Sequence, residues 1–297
     1  MLIKLLAILF ILVGIAGIFL PVVPGVLLIA VGILLLYRDR HEEISRLVNE
    51  KAPVHLADLY NNFLHRIILP PHYIGIDWDY VKREALRTEN IDLSAKDERS
   101  VNITASLNAS IRKARSLAVP KHIFEEKKIR DLGADFIELE DGTRFSTGKI
   151  PVFIKGARGL VLFVVTIGDA LEKEASLLTS GKDLLGGYLL DRIGSFAVES
   201  LAENLEKRLR RDYLKQKQSL SSRFSPGYCD WPVEEQFKLS KAIDFSKAGV
   251  KLTEGCMMVP KKSISAIAAV AGEDVFKDFI SSCNICEKTD CGFRRKF

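Results

Sequence analysis

The spacing of apolar and polar positions predicts helices over much of the chain. Residues 78–86 and 97–119 repeat apolar side chains at intervals of three and four. That interval is the period of a helix with one buried face. We therefore expect two helices here, ahead of the region where the pattern changes.

Residues 189–215 form the clearest amphipathic helix of the sequence. Apolar side chains recur along one face, and Asp191, Ser195 and Glu199 recur four residues apart beside it. We therefore expect a polar edge next to the buried face. Two i,i+4 ion pairs are expected on the solvent side: Glu203 with Lys207, and Glu206 with Arg210.

Strand patterns occupy the middle of the chain. Residues 134–140 alternate apolar and polar side chains and run into Asp141-Gly142, a dipeptide typical of tight hairpin turns. Residues 160–167 are an apolar run rich in valine, which favours a strand buried on both faces. Helices and strands together predict a mixed α+β domain in which helices pack on a sheet.

The N-terminal region is the most hydrophobic part of the chain. No charged residue occurs from Leu5 to Tyr37, and one membrane-spanning helix needs about 20 apolar residues. A proline- and glycine-containing segment at 21–25 interrupts the run. We therefore predict a membrane-embedded helical hairpin over residues 1–40, followed by an amphipathic helical connector over residues 41–70.

Charge next to this hairpin suggests its orientation. Lys4 precedes it, and Arg38 and Arg40 follow it, so the positive-inside tendency places both ends in the cytoplasm. The expected location is the cytoplasmic membrane, with the rest of the chain, residues 71–297, facing the cytoplasm. A cleaved signal peptide and a buried hairpin of a soluble protein are the competing interpretations.

Composition excludes one class of partner. The 297 residues carry a net charge of only +5, and basic residues are interspersed with acidic ones. A nucleic-acid-binding protein usually carries a concentrated basic surface. We therefore expect no nucleic acid as partner, whereas a mildly basic chain suits an anionic membrane face.

Residues 223–232 are the most informative segment for function. They read Arg-Phe-Ser-Pro-Gly-Tyr-Cys-Asp-Trp-Pro. The Pro-Gly pair predicts a turn at which a ligand can approach bare backbone, and Arg223 and Tyr228 flank it with a carboxylate-binding fork and a polar aromatic ring. The segment therefore suits a small zwitterion, although an ordinary loop packed on its tyrosine has the same composition.

A second motif follows at residues 252–267, with Leu-Thr-Glu, Met, Pro and Ser-x-Ser in that order. Together with the Arg-x-x-x-Gly-Tyr of the first segment, it resembles the activation domain of cobalamin-dependent methionine synthase. It is most similar to short stand-alone relatives of that domain, in which Asp-Trp-Pro follows Gly-Tyr. The resemblance extends upstream and covers roughly residues 76–297.

The resemblance implies a curved, mainly antiparallel sheet and a binding site for S-adenosylmethionine. Arg223 would pair with the ligand carboxylate, main-chain groups of Ser225 and Gly227 would meet the adenosine, and Tyr228 would contact the ligand edge. Glu199 matches an acidic residue that lies near the ligand in that family. The chain departs from the full-length enzyme after Tyr228, where Cys-Asp-Trp stands.

The implied function is that of an accessory protein for the reductive reactivation, or remethylation, of a corrinoid-dependent methyltransferase such as methionine synthase. No Asp-x-His-x-x-Gly cobalamin signature occurs in the sequence, so the cobalamin is expected on a partner protein. A separate electron-donor protein is a further expected partner. The alternatives are a non-catalytic membrane scaffold and an iron-sulfur electron carrier for a corrinoid protein.

The C-terminal region contains clustered cysteines. Cys283, Cys286 and Cys291 lie within nine residues, and Cys256 is available as a fourth ligand. The C-x2-C spacing permits two thiolates on one metal, so the cluster predicts a zinc or iron-sulfur site. A redox-active or free-thiol tail is the competing interpretation, and Cys229 is a further candidate fourth ligand.

Overall fold

The computed structural model describes residues 4, 7–11, 32–33, 35–36, 44, 48, 51, 74–89, 98–228 and 230–276. The chain divides into two units. The first comprises Met1–Tyr73 with Asn108–Leu117, and the second comprises Ile74–Leu107 with Ala118–Phe297.

Helical residues of the first unit approach one another closely. Residues 7–11 and Gly32 are helical, and a Cβ on Gly32 would lie 2.8 Å from the carbonyl oxygen of Ala7 and 2.5 Å from the Ile11 side chain. Only a residue without a side chain permits this approach. Of the predicted connector over residues 41–70, Ile44, Val48 and Lys51 are described, and they are helical.

The predicted transmembrane hairpin is corrected by the structure. Within the described residues, no helix combines the length and the apolar character that crossing a bilayer requires. The longest described helix, residues 184–215, carries many charged side chains. The transmembrane part of the predicted fold class is therefore wrong, and so is the location in the cytoplasmic membrane that depended on it. Most of residues 1–40 lie outside the described residues.

The second unit contains helices packed on a six-stranded sheet. From residue 74 onwards we label the helices α1 (Trp78–Thr88), α2 (Glu98–Leu117), α3 (Ile150–Phe153), α4 (Ala170–Ser180), α5 (Leu184–Lys215) and α6 (Gln236–Ala242). The strands are β1 (Lys121–Leu132), β2 (Phe136–Leu139), β3 (Arg144–Ser146), β4 (Gly159–Thr166), β5 (Gln218–Leu220), β6 (Lys251–Leu252), β7 (Met258–Val259) and β8 (Ser263–Gly272).

The six-stranded sheet has the order β3-β2-β1-β4-β8-β5, and its neighbouring strands are antiparallel. β4 and β8 pair over their whole common length, from Gly159 opposite Val270 to Thr166 opposite Ser263. The remaining two strands, β6 and β7, form a separate small hairpin. The mixed α+β architecture with a mainly antiparallel sheet is confirmed.

The two faces of the central strands are both buried. Leu160, Leu162 and Val164 of β4 lie in one hydrophobic cluster with Ile267 of β8 and with Trp231. Successive side chains of a strand point to opposite faces, so Val161, Phe163 and Val165 face the other way, and each is fully buried as well. Helix α5 contacts β4 and β8 and covers this second face.

Helix α5 is also packed against its neighbouring helices. Gly187 lets it approach α4, because a Cβ there would lie 2.2 Å from the Thr179 hydroxyl oxygen. The segment that leads into α1 is held by two hydrogen bonds: Ser200 accepts one from the Asp77 amide at 2.8 Å, and the Asn204 amide donates one to the Gly75 carbonyl at 2.8 Å. Helix α5 therefore forms the framework on which the site residues are placed.

Candidate functional site

The loop over residues 223–232 is attached to the centre of the sheet. Phe224 and Ile267 of β8 form an isolated antiparallel bridge, and each amide donates to the other residue's carbonyl at 2.8 Å. Phe224 is only 5% exposed. The bridge therefore connects the first sequence motif directly to the second one.

The Pro-Gly pair forms the turn that the sequence predicts. Gly227 adopts a φ of +88°, a left-handed conformation that glycine takes at little cost. Its amide donates to the Trp231 carbonyl at 2.8 Å, and the Tyr228 amide donates to the Ser225 carbonyl at 3.2 Å. A Cβ at Gly227 would meet only Val233 within 4 Å, so bare backbone is accessible at this point.

Trp231 and Asp230 fix the end of the loop. The Trp231 ring is 2% exposed and packs edge-on against Phe145, with ring centroids 5.8 Å apart. The Asp230 carboxylate accepts a hydrogen bond from the Lys149 amide at 2.8 Å. The Asp-Trp-Pro sequence therefore supports the loop, since its aromatic residue is part of the core and its aspartate holds the turn before α3.

Arg223 forms a double ion pair with two carboxylates of α5. One of its terminal nitrogens contacts Glu199, and the other lies 3.1 Å from a carboxylate oxygen of Glu206. Glu199 and Glu206 are seven residues apart on the helix, so both reach the same side of α5. The structure thus brings the predicted pair Arg223 and Glu199 together.

Glu206 is the deepest member of this group. Its side chain is 8% exposed, against 12% for Arg223 and 28% for Glu199. Its other carboxylate oxygen accepts from Arg210 at 3.1 Å, and Arg210 also donates to the Leu220 carbonyl at 2.8 Å. The expected solvent-exposed pair of Glu206 and Arg210 is therefore present as a pair, but its carboxylate is buried.

The second motif is connected to the rest of the site by Gln236, which is 5% exposed. Its side-chain amide donates to the Cys256 carbonyl at 3.1 Å, and its oxygen accepts from the Ser265 hydroxyl at 3.3 Å. This one buried side chain therefore joins helix α6, the loop containing Cys256 and strand β8.

The other two polar residues of the α5 edge meet Lys262. The Lys262 ammonium lies 2.7 Å from an Asp191 carboxylate oxygen and donates to the Ser195 hydroxyl at 2.9 Å. Asp191, Ser195 and Glu199 therefore lie along one side of α5, as their spacing predicts. They contact the two sequence motifs, with Glu199 at Arg223 and the other two at Lys262.

The structure describes the candidate ligand-binding residues of the loop, but only one of the candidate metal ligands. Ser225 is half-buried, and Tyr228 is 57% exposed beside the turn. Cys256 is a buried free thiol, whereas Cys283, Cys286, Cys291 and Cys229 lie outside the described residues. No group of three potential metal ligands occurs among the residues described here.

The sequence of this region matches a known family. Residues 153–276 match the family model for the "Vitamin B12 dependent methionine synthase, activation domain". The resemblance to this activation domain is confirmed. The matched activation-domain region contains the loop, the α5 carboxylates, Gln236 and Lys262. No curated protein matches the chain.

A similar fold is found among solved structures. The crystal structure of the MetH reactivation domain bound to AdoHcy is similar over 71% of this chain and 82% of that chain, with a TM-score of 0.52. The two sequences are 17% identical over the aligned region. The similarity is therefore one of fold, and it agrees with the activation-domain match.

Sequence reasoning missed the two residues behind Arg223. Glu206 and Arg210 were expected in solvent because their i,i+4 spacing is typical of an exposed helix pair. The available signal was the position of Glu206, seven residues after Glu199 and therefore on the same side of the helix. The structure adds these two residues to the candidate site.

Proposed function

We propose that residues 71–297 bind S-adenosylmethionine and support the reductive reactivation of a corrinoid-dependent methyltransferase such as methionine synthase. One observation carries the proposal: an arginine and an acidic residue are paired beside an open glycine turn, within the region that matches the activation domain. The similar fold of the MetH reactivation domain bound to AdoHcy supports the same conclusion.

The side chains at the site fit a ligand that carries both charges. Arg223 uses two of its five N–H groups in the contacts with Glu199 and Glu206, and a guanidinium binds carboxylates in two-pronged geometry. Glu199, the more exposed of the two carboxylates, is placed to meet a cationic amino group. A methionine moiety presents these two groups on one carbon atom.

The loop fits the remaining part of the ligand. Main-chain groups of Ser225 and Gly227 lie at a turn where no side chain blocks approach, and the exposed Tyr228 ring offers a flat surface beside it. Adenosine binds to surfaces of this kind through hydrogen bonds and ring contacts. We therefore assign the adenosine to the turn and the methionine to Arg223 and Glu199.

The contribution of this chain is orientation of the ligand. When bound, S-adenosylmethionine supplies an activated methyl group for transfer to a corrinoid, which in this proposal is carried by a partner protein. Holding two reactants in productive geometry is by itself worth several kcal/mol in rate. The rigid attachment of the loop to β8 and α5 serves this purpose.

The test is calorimetric titration of the full chain with S-adenosylmethionine and with S-adenosylhomocysteine. We expect saturable binding of both ligands, weakened at least about tenfold by Arg223→Ala, because a charge-assisted pair contributes about 1.5–3 kcal/mol. The matched control is Arg130→Ala, which removes an arginine from an ion pair with Glu138 on β1 and β2. It should leave both affinities unchanged.

The proposal fails if the folded wild-type chain shows no heat of binding with either ligand. It also fails if Arg223→Ala and Arg130→Ala bind equally well. The proposed metal role of Cys283, Cys286, Cys291 and Cys256 is tested separately by metal analysis and an anaerobic absorption spectrum of the same preparation.

A further inference from the structure

Glu206 occupies an unusual position for a helix carboxylate. Its side chain is 8% exposed, and its two oxygens are divided between two guanidinium groups, Arg210 and Arg223, each at 3.1 Å. A buried carboxylate is costly unless it is paired and hydrogen-bonded. Here both oxygens have cationic hydrogen-bond partners, which offset the cost of burial.

One of the two partners is itself fixed by the backbone. Arg210 donates to the Leu220 carbonyl at 2.8 Å and to the Ser221 carbonyl at 3.3 Å. Leu220 and Ser221 lie three and two residues before Arg223 in the chain. Arg210 therefore connects α5 to the segment that leads into the loop, and Glu206 lies between this fixed arginine and the one that is proposed to bind ligand.

The three charged side chains of this group differ in how deeply they are buried, and this indicates which of them can contact a ligand. Exposure of the side chain falls from 28% at Glu199 to 12% at Arg223 and 8% at Glu206. Glu206 is therefore the least accessible of the three side chains to a ligand that approaches from solvent, and it is in direct contact with Arg223. Contact of the ligand with Glu206 is therefore not needed for Glu206 to affect binding.

We infer that Glu206 is a positioning residue, which holds the Arg223 guanidinium in the orientation that receives the carboxylate of an amino-acid-bearing nucleoside. The inference rests on the proposed function of the same site. Charge balance supports it, because Glu206 neutralises one of two arginines that would otherwise repel each other at short range. Without Glu206, Arg223 keeps only its contact with Glu199, so the orientation of its guanidinium is less restricted.

The test compares Glu206→Gln with wild type in the full chain, using two ligands. S-adenosylmethionine carries a carboxylate, whereas 5′-methylthioadenosine carries the adenosine and sulfur but no amino-acid group. The variant amide carries no negative charge and keeps only one acceptor oxygen for the two arginines, so the charged contact that orients Arg223 is weakened or lost. We expect at least about a tenfold loss for S-adenosylmethionine and a change below about twofold for methylthioadenosine.

Glu203→Gln is the matched control. Glu203 lies on the same helix and pairs with Lys207 at 3.0 Å, and the Lys207 side chain is 64% exposed. Its substitution should leave both affinities unchanged. If Glu206→Gln does not fold, Arg210→Lys replaces it, because an ammonium lacks the planar fork whose two terminal nitrogens separately hold the Leu220 carbonyl and Glu206. The same ligand-selective loss is expected.

A double-variant measurement provides the second readout. In the Arg223→Ala background, Glu206→Gln should cause no further loss for S-adenosylmethionine, because the residue acts through Arg223. Additive losses, equal losses for both ligands, or unchanged binding by Glu206→Gln would each overturn the inference while leaving the proposed function intact. Failure of wild type to bind S-adenosylmethionine would overturn both.

Discussion

The Lys262 ammonium lies 2.7 Å from a carboxylate oxygen of Asp191 and so joins the loop before β8 to helix α5. The Lys262 side chain is 11% exposed, whereas that of Asp191 is 54% exposed. The pair thus combines a nearly buried cation with a partner at the surface. This geometry makes the lysine the more important member for stability.

Lys262→Met is expected to lower the free energy of unfolding by about 1–2 kcal/mol. The variant removes the ion pair and the hydrogen bond to Ser195, while Asp191 remains solvated and so carries little penalty. Urea denaturation measures the change. Lys207→Met, in the exposed pair with Glu203, serves as the control and should shift stability by less than about 0.5 kcal/mol. Equal effects of the two variants would contradict this interpretation.

Gly148→Ala is expected to destabilise the turn that precedes α3. Gly148 has a φ of +51°, and a Cβ there would lie 2.4 Å from an Asp230 carboxylate oxygen. The left-handed backbone alone costs an alanine about 1–2 kcal/mol. The steric conflict with Asp230 adds to that cost. Thermal unfolding compares the variant with wild type.

Gly142→Ala is the control that measures the cost of the left-handed backbone without a steric conflict. Gly142 has a φ of +85°, but nothing lies within 4 Å of its Cβ position. It should therefore show the backbone cost alone and lose less stability than Gly148→Ala. Adding Asp230→Ala to Gly148→Ala should give a smaller total loss than the sum of the single variants. If the two losses of stability were strictly additive, a side chain at position 148 would not be in steric conflict with Asp230.

Because of Tyr213, the free energy of unfolding is expected to decrease at alkaline pH. Burial raises the pKa of its phenol, and the hydrogen bond that the hydroxyl donates to Glu126 at 2.6 Å raises it further. The folded chain therefore retains this proton at pH values where the unfolded chain, with a tyrosine pKa near 10, loses it. The stabilisation is complete below about pH 10 and is lost as pH rises further.

Tyr213→Phe should flatten that dependence. The free energy of unfolding, measured in urea from pH 8 to pH 11, should fall more steeply for wild type than for the variant above about pH 10. At pH 8 the variant should be less stable by about 1 kcal/mol, because Glu126 loses a hydrogen bond. If the free energy of unfolding changed with pH in the same way for both proteins, the pKa of Tyr213 would not be raised in the folded chain.

Gln236→Ala should loosen the loop that contains Cys256. The Gln236 amide donates to the Cys256 carbonyl, and both residues are at least nine-tenths buried. Leaving these partners unsatisfied costs about 1–3 kcal/mol. Alkylation of the Cys256 thiol, followed by peptide mass spectrometry, should be slow in wild type and faster in the variant. Gln216→Ala, at an exposed position, should leave the rate unchanged.

The local sequence pattern predicted elements whose own residues determine their form. The alternating segment at 134–140 became β2, with Asp141-Gly142 in the turn before β3, and the valine-rich run became β4. The long amphipathic pattern became α5. In each case a repeat of apolar positions, or a glycine able to take positive φ, is visible in the sequence itself.

Two of the strands that the sequence analysis did not predict, β1 and β8, lacked a strand pattern for different reasons. β1 consists mostly of charged residues, and it is held as a strand by pairing with β2 on one side and β4 on the other. β8 contains four alanines, which are poor strand formers in isolation. Its position between β4 and β5 gives it both partners. Such pairing between distant segments leaves no periodic signal.

The sequence by itself determined the loop from Arg223 to Pro232, its glycine turn and the resemblance to the activation domain, because these depend on residue types at fixed spacing. Only the tertiary structure decided what Arg223 faces. Its partners Glu199 and Glu206 lie 24 and 17 residues earlier and meet it because the loop is hydrogen-bonded to β8 while α5 packs on the same sheet. The depth of Glu206 follows from that packing, since helical spacing places a residue on a side of the helix but does not specify what covers it.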